Sequence, residues 1–227
     1  MSKAAVVVCV VSGGLDSSVL AHHVRAEKRI VRLVSFDYGQ RHAKELDYAA
    51  LLAQDLRAQH DLIDLSGAGA LLSGSALTDP DVDVPDGHYT DESMKATVVA
   101  NRNAIFVNLA VGIAVASKAW AVAVGIHAGD HPIYPDCRPA FVEAAERLAV
   151  VANEGFIDPR FRLQAPFLEW TKADIVRRGA ELGVDFSRTW SCYKGGERHC
   201  GTCGTCVERR EAFELAGVPD PTAYSAP

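Results

Sequence analysis

This sequence predicts an α/β fold, a doubly wound parallel sheet of the adenine-nucleotide-binding kind, with a small cysteine-bearing module at its C-terminal end. Three observations carry that expectation. Runs rich in β-branched residues alternate with helix-patterned segments, a glycine-rich turn closes the first run, and four of six cysteines crowd into Cys192, Cys200, Cys203 and Cys206. Strands alternating with helices imply parallel pairing through right-handed crossovers. On this reading residues 1–186 form the α/β body and 187–227 the cysteine module.

Each element follows in chain order. The run AAVVVCVV from Ala4 to Val11 is apolar at every position, as a central strand covered by helices on both faces requires. A helix is expected over Ser17–Glu27, a strand over Ile30–Phe36, and a helix over Ala43–Arg57 with Leu46, Ala49, Ala50, Ala53 and Leu56 on one face. Asp61–Leu65 makes a third strand. Between residues 67 and 97 the periodicity lapses into Gly, Pro and Ser, with six carboxylates from Asp79 to Glu92. A solvated surface loop and a mobile lid over an active site are both open readings of such a length.

Periodicity resumes with a helix from Arg102 to about Ser117, a strand over Trp120–Ile126 and a helix from Pro139 to about Asn153. Thr171, with Asp174 three residues on, reads as a capping box opening a helix that stripes Ile175, Gly179 and Leu182 and stops at Gly183. A short helix from about Cys206 to Ala216 and a fraying tail complete the chain.

With 48% hydrophobic and 23% charged residues in 227, the chain can bury a sizeable core. A net charge of -6 and a pI near 5.7 oppose a main task of gripping nucleic-acid phosphates, so a small-molecule substrate is favoured. Lys3 before the first apolar run does not make a secretory signal, because no small-residue cleavage site follows and the run is far short of the roughly 20 residues that cross a bilayer. A cytoplasmic protein without a membrane partner is expected.

SGGLDS, Ser12 to Ser17, stands where a buried parallel strand hands over to a helix. Gly13 and Gly14 let the backbone approach an anion, and the hydroxyls of Ser12, Ser17 and Ser18 add donors at the positive helix end. A plain turn capped by Asp16 or Ser17 is the competing account. No GxxxxGK followed by Ser or Thr occurs, which disfavours kinase-like transfer. Cys192, Cys200, Cys203 and Cys206, with seven, two and two residues between them, can close a tetrahedral thiolate site for one structural zinc. His199 is the rival ligand, and Lys194, Arg198, Arg209 and Arg210 can offset the thiolate charge. Cys9 and Cys137 lie outside the set.

SGGLDS resembles the PP-loop of the ATP pyrophosphatases, which implies adenylation with release of pyrophosphate. The resemblance assigns ATP to Val10, Val11, Ser12, Gly13, Gly14, Leu15, Asp16, Ser17, Ser18, Val19 and Leu20, with Arg102 beside them. Asp16 is expected to help hold magnesium, and Lys172, in APFLEWTKADI, to reach the phosphates; Ser12, Asp16 and Lys172 form the catalytic set. FDYGQRH (Phe36–His42), IYPDCR (Ile133–Arg138) and SCYKGGERHCGTCGTCVERR resemble motifs of the 7-cyano-7-deazaguanine synthase (QueC) family. That family implies 7-carboxy-7-deazaguanine, free ammonia and ATP as substrates, and a homodimer. Tyr38 would then stack on the purine-like ring with Gln40, Arg41 and His42 nearby, while Asp136 and Arg138 read amine and carboxylate. In VANRN (Val99–Asn103) Ala100 replaces the family's usual proline. A PP-loop enzyme that thiolates tRNA and a non-enzymatic zinc-ribbon protein are the alternatives.

Overall fold

The computed structural model describes residues 5–72, 74–88 and 94–225. Ala4, residues 73 and 89–93 of the long loop, and the last two residues of the tail lie outside that set. Five strands, β1 (Val6–Val10), β2 (Ile30–Asp37), β3 (Gln59–Asp64), β4 (Ala121–Ala123) and β5 (Arg162–Gln164), make one parallel sheet ordered β3-β2-β1-β4-β5. In register, Val8 of β1 faces Arg32 of β2 on one side and Val122 of β4 on the other. The order reverses between β1 and β4, and a sheet of this kind binds ligands at the carboxyl ends of the strands beside that switch point.

Helices cover both faces. α1 (Leu15–Ala26), α2 (Glu45–Leu56), α6 (Lys172–Glu181) and α7 (Gly204–Ala216) pack on one face around Val7, Cys9, Leu33 and Ala121. α4 (Arg102–Ser117) and α5 (Pro139–Ala152) close the other over Val8, Val34, Val122 and Leu163. A single turn, α3 (Ser66–Gly69), follows β3. Val7, Val8 and Cys9 have no exposure at all, so β1 is covered on both faces as its uniform hydrophobicity requires.

Several boundaries move for physical reasons. The ladder of β4 stops at Ala123 rather than Ile126, because after Val124 N–H donates to Gln164 C=O (2.9 Å) the chain turns at Gly125 against the backbone of Asp16. β5 was not visible in the sequence, since RLQ is too short to show a period. On α2 the buried stripe is Glu45, Ala49, Leu52, Ala53 and Leu56, leaving Leu46 and Ala50 half-buried at its edge. The capping box at α6 forms as expected, with Asp174 N–H donating to Thr171 Oγ1 (3.2 Å) and Thr171 N–H to Asp174 Oδ2 (3.0 Å). Where a proline was missing at Ala100, Asn101 adopts a left-handed conformation (φ 59°) that launches α4; asparagine is among the few residues that tolerate it.

The described part of the long loop is anchored. Ala76 and Leu77 are buried, the Arg41 guanidinium donates to the carbonyls of Asp79, Pro80 and Val82 (2.9, 3.1 and 2.9 Å), and Gly87 N–H donates to Thr202 C=O (2.7 Å). Among the described residues no helix is long and apolar enough to cross a membrane.

Candidate functional site

A crevice opens at the carboxyl ends of β1 and β4, lined by Val10, Val11, Ser12, Gly14, Leu15, Asp16 and Ser17 from the phosphate loop. The loop is held by its own hydroxyls: Ser12 N–H donates to Ser17 Oγ (3.2 Å), Gly14 N–H to Ser12 Oγ (3.2 Å), and Ser17 Oγ to Gly14 C=O (3.2 Å). Gly13 (φ 87°) does not line the crevice but makes the loop possible, because a Cβ there would stand 2.2 Å from Glu45 C=O at the start of α2. Ser18, Val19 and Leu20 are buried in α1 behind the loop.

Asp16 and Lys172 meet across the crevice, with Lys172 Nζ 3.5 Å from Asp16 Oδ2 and 2.5 Å from Glu208 Oε2. Burial works against the Lys172 charge, but Asp16, Glu208 and Asp130 outweigh it and hold the ammonium well above the usual lysine range. Asp16 Oδ1 is buried with no hydrogen-bond partner. A buried carboxylate oxygen left open in this way fits a cation brought by a ligand. His127, which the sequence reading missed, caps the turn after β4 by accepting from Gly129 N–H (3.1 Å at Nδ1) and turns Nε2 to within 4.0 Å of Asp16 Oδ2. Burial raises the carboxyl of Asp130 beside it, against the lowering pull of His127 and Lys172. His127 and Asp130 follow a central parallel strand, a position the switch-point rule marks; Glu208, on the cysteine-bearing helix, carried no such sign.

Another part of the crevice wall is aromatic and surrounds one cation, Arg102. Phe106 stacks on Phe36 (4.3 Å between centroids, 11° between planes) and tilts against Tyr38 at 5.4 Å, and Tyr134, Tyr193 and Cys137 complete the wall around Arg102. Asp136 lines this end, its Oδ2 accepting from Asn103 N–H (3.0 Å) at the start of α4, and Asn103 Nδ2 donates to Cys137 Sγ (3.2 Å). His42 is also on the wall, buried and held down to about 3 chiefly by that burial. Glu45, a second residue the sequence reading missed, lies 3.5 Å from His42 and accepts from Gln40 Nε2 (3.2 Å); burial pushes its carboxyl up to about 8. The structure does not bring three of the expected substrate residues to the crevice. Gln40 spends its amide on the Tyr38 N–H and Phe36 C=O, Arg41 ties down the long loop, and Arg138 is exposed and donates to the carbonyls of His131 and Pro132.

The four cysteine sulfurs lie within 4.8 Å of one another, and Cys200 Sγ is 3.9 Å from Cys206 Sγ. A tetrahedron with metal–sulfur bonds of about 2.3 Å has sulfur–sulfur edges near that length, so the cluster can hold a metal ion. Cys200, Thr202 and Cys203 direct backbone N–H groups at the sulfurs of Cys192 and Cys200. His199 is not part of the cluster: its Nε2 accepts from Ser191 N–H (3.0 Å) and its ring packs 4.3 Å from Trp190. The expected cationic offset is only partly present. Lys194 pairs with Asp86 (2.5 Å), Arg198 is exposed, Arg210 lies over the Tyr224 ring (4.0 Å), and buried Arg209 instead staples α7 to Phe186, Thr189, Ser191 and Asp220.

A hydroxyl-braced, glycine-rich turn at the switch point of a parallel sheet gives this chain a PP-loop fold. NMN synthetase from Francisella tularensis has the same fold, with a TM-score of 0.54 at 14% identity over 96% of this chain and 79% of that one. The family model for queuosine biosynthesis protein QueC matches residues 6–217. 7-Cyano-7-deazaguanine synthase from Rhizobium johnstonii is 63% identical, covering 96% of this chain and 91% of the relative, and its counterpart from Rhizobium rhizogenes is 61% identical over 98% and 92%. The chain belongs to the QueC family.

Proposed function

We propose that this chain converts 7-carboxy-7-deazaguanine, ammonia and ATP into 7-cyano-7-deazaguanine, with AMP and pyrophosphate as the other products. The observation that carries the reading is the union in one crevice of a phosphate loop and an aromatic chamber, the two halves such a reaction needs. The carboxylate attacks the α-phosphate of ATP and expels pyrophosphate, giving an acyl-adenylate. Ammonia displaces AMP from it and leaves the amide after loss of a proton. The amide oxygen is adenylated in the same way, and departure of AMP with the remaining N–H proton leaves the nitrile. The chain contributes positioning and charge stabilisation through the loop N–H groups, Ser12 and Lys172. Magnesium, held with the help of Asp16, would supply charge neutralisation on the phosphates; Asp16 Oδ1 has no other partner to give up. The metal of the cysteine cluster is proposed to be zinc, with a structural role because four thiolates leave no open position.

The tRNA-thiolating alternative needs a reactive thiolate near ATP. Cys137 does not suit that task, since it is buried and burial raises its thiol well above the usual range. Mass spectrometry with counted nucleotides tests the proposal. The acid should consume two ATP and one ammonia per nitrile, whereas the synthetic amide should need one ATP and no ammonia. ADP as direct product, or amide accumulating as the end product, would overturn it.

A further inference from the structure

Among the described residues three cations line the crevice; Arg209 is paired with Asp220, and the other two, Lys172 and Arg102, each the first residue of a helix, are compensated very differently. Lys172 lies between Asp16 and Glu208, with Asp130 adding a third acid. Around Arg102 the groups that act on its charge are Tyr38, Tyr193 and Cys137, and among the described residues no carboxylate forms an ion pair with it. None of those three supplies a countercharge at neutral pH. Burial pushes Tyr38 up to about 12, Tyr193 well above the phenol range and Cys137 above the thiol range. Glu45, the acid that also feels Arg102, is raised to about 8 by burial and is mostly protonated at pH 7. Asp136 also lines the crevice, but its Oδ2 is turned to Asn103 N–H and it forms no ion pair with Arg102. Burying a charge without a partner is expensive, and a fold that keeps one in a ligand crevice leaves its countercharge to the ligand.

Two anions enter this crevice under the proposed function, the phosphates of ATP and the carboxylate of the acid. Lys172 is held by direct ion pairs to Asp16 and Glu208 beside the loop, whereas Arg102 shares its part of the crevice wall with Tyr38, Tyr193 and Cys137, so the two cations have different immediate surroundings. The phosphate end has the loop N–H groups and Lys172. The Arg102 end has Phe106, Tyr38, Tyr134 and Tyr193, whose rings suit a planar bicyclic base, and a planar guanidinium fork matches a carboxylate. Arg138, the residue the sequence offered for this task, points elsewhere. We infer that Arg102 binds the carboxylate of the acid substrate and is the residue that separates the acid from its own amide product.

The inference rests on the proposed function, and the comparison of acid with amide keeps the two distinguishable. In Arg102→Ala the ratio of kcat/KM for acid to that for amide should fall about 10- to 100-fold, whatever loss both substrates share, because a hydrogen bond to a charged group is lost for one and not for the other. Arg102→Lys keeps the charge without the fork and should restore part of the ratio. If Arg102→Ala does not fold, Arg102→Lys alone must still lower the ratio several-fold. An unchanged ratio overturns the inference, and an equal rise in KM for ATP with both substrates would assign the guanidinium to phosphate instead. A wild-type protein inactive on acid and amide alike would remove the underlying reading, and this inference with it.

Discussion

The cysteine cluster, which can hold a metal ion, and the loop proposed to bind phosphate are both drawn from short stretches of chain, yet one closes its donor set and the other leaves it open. Cys192, Cys203 and Cys206 are completely buried, and backbone N–H groups and Thr205 turn toward the sulfurs. A site saturated by its own side chains has no position for a substrate, so what it can contribute is folding energy. The phosphate loop spends its hydroxyls on its own shape and leaves Asp16 Oδ1 without a partner. The two are joined mechanically: Trp190 N–H donates to Gly13 C=O (3.0 Å), and Glu208 reaches Lys172 from α7. A closed site next to an open one lets the first hold rigid what the second requires for positioning.

Removing one ligand should break the closed site with the largest effect. Structural zinc contributes roughly 10–16 kcal/mol of apparent binding energy in small modules, so Cys203→Ala should lose its metal and unravel the C-terminal segment. Elemental analysis should fall from one zinc per chain to none, and Trp190, only 2% exposed, should shift its fluorescence to the red. Turnover should vanish too, because Glu208 moves with α7. Metal-free protein that melts like the wild type would end the contrast.

Glu45 lies between the two regions, its backbone carbonyl against Gly13 and its side chain beside His42, and it sharpens the comparison through pH. Its carboxyl is raised from 4.5 to about 8 in the fold. The stability it contributes is therefore complete below the unfolded value and is lost as pH rises toward the folded one, since unfolding then releases a proton. Melting temperature should fall between pH 5 and pH 8 more steeply in the wild type than in Glu45→Gln. Parallel curves for the two would show that the carboxyl is already ionised in the fold.

The smallest stability change belongs to the open site. Ser12→Ala should shift unfolding by no more than about 1 kcal/mol, because the bonds lost are local and partly exposed, and Asp16→Ala by less than loss of a cysteine ligand, because Glu208 still pairs with Lys172. Each should nevertheless abolish release of AMP and pyrophosphate from radiolabelled ATP. A loss of stability comparable to that of Cys203→Ala would mean that the loop carries the fold as well.

Much of this was legible in the residues. The alternation of strands and helices, the capping box at Thr171 and the start of α4 at Arg102 all follow from local periodicity and capping chemistry. Arg41, Gln40 and Arg138 lie outside the crevice for a shared reason: a motif tells which residues cluster along the chain, not which way each side chain turns once the loop between them has packed. The fifth strand escaped because three residues carry no period.

By itself the sequence determined the glycine-rich turn after β1 and the cysteine cluster, since each packs its donors into a short span where spacing largely fixes geometry. The tertiary structure alone decided how the charges are shared. Glu208 reaches Lys172 from 36 positions away, His127 and Asp130 arrive from the end of β4, and Arg102 is left among neutral phenols. Those pairings depend on which strand ends adjoin and on how deeply each group is buried, and neither quantity exists until the sheet has closed against its helices.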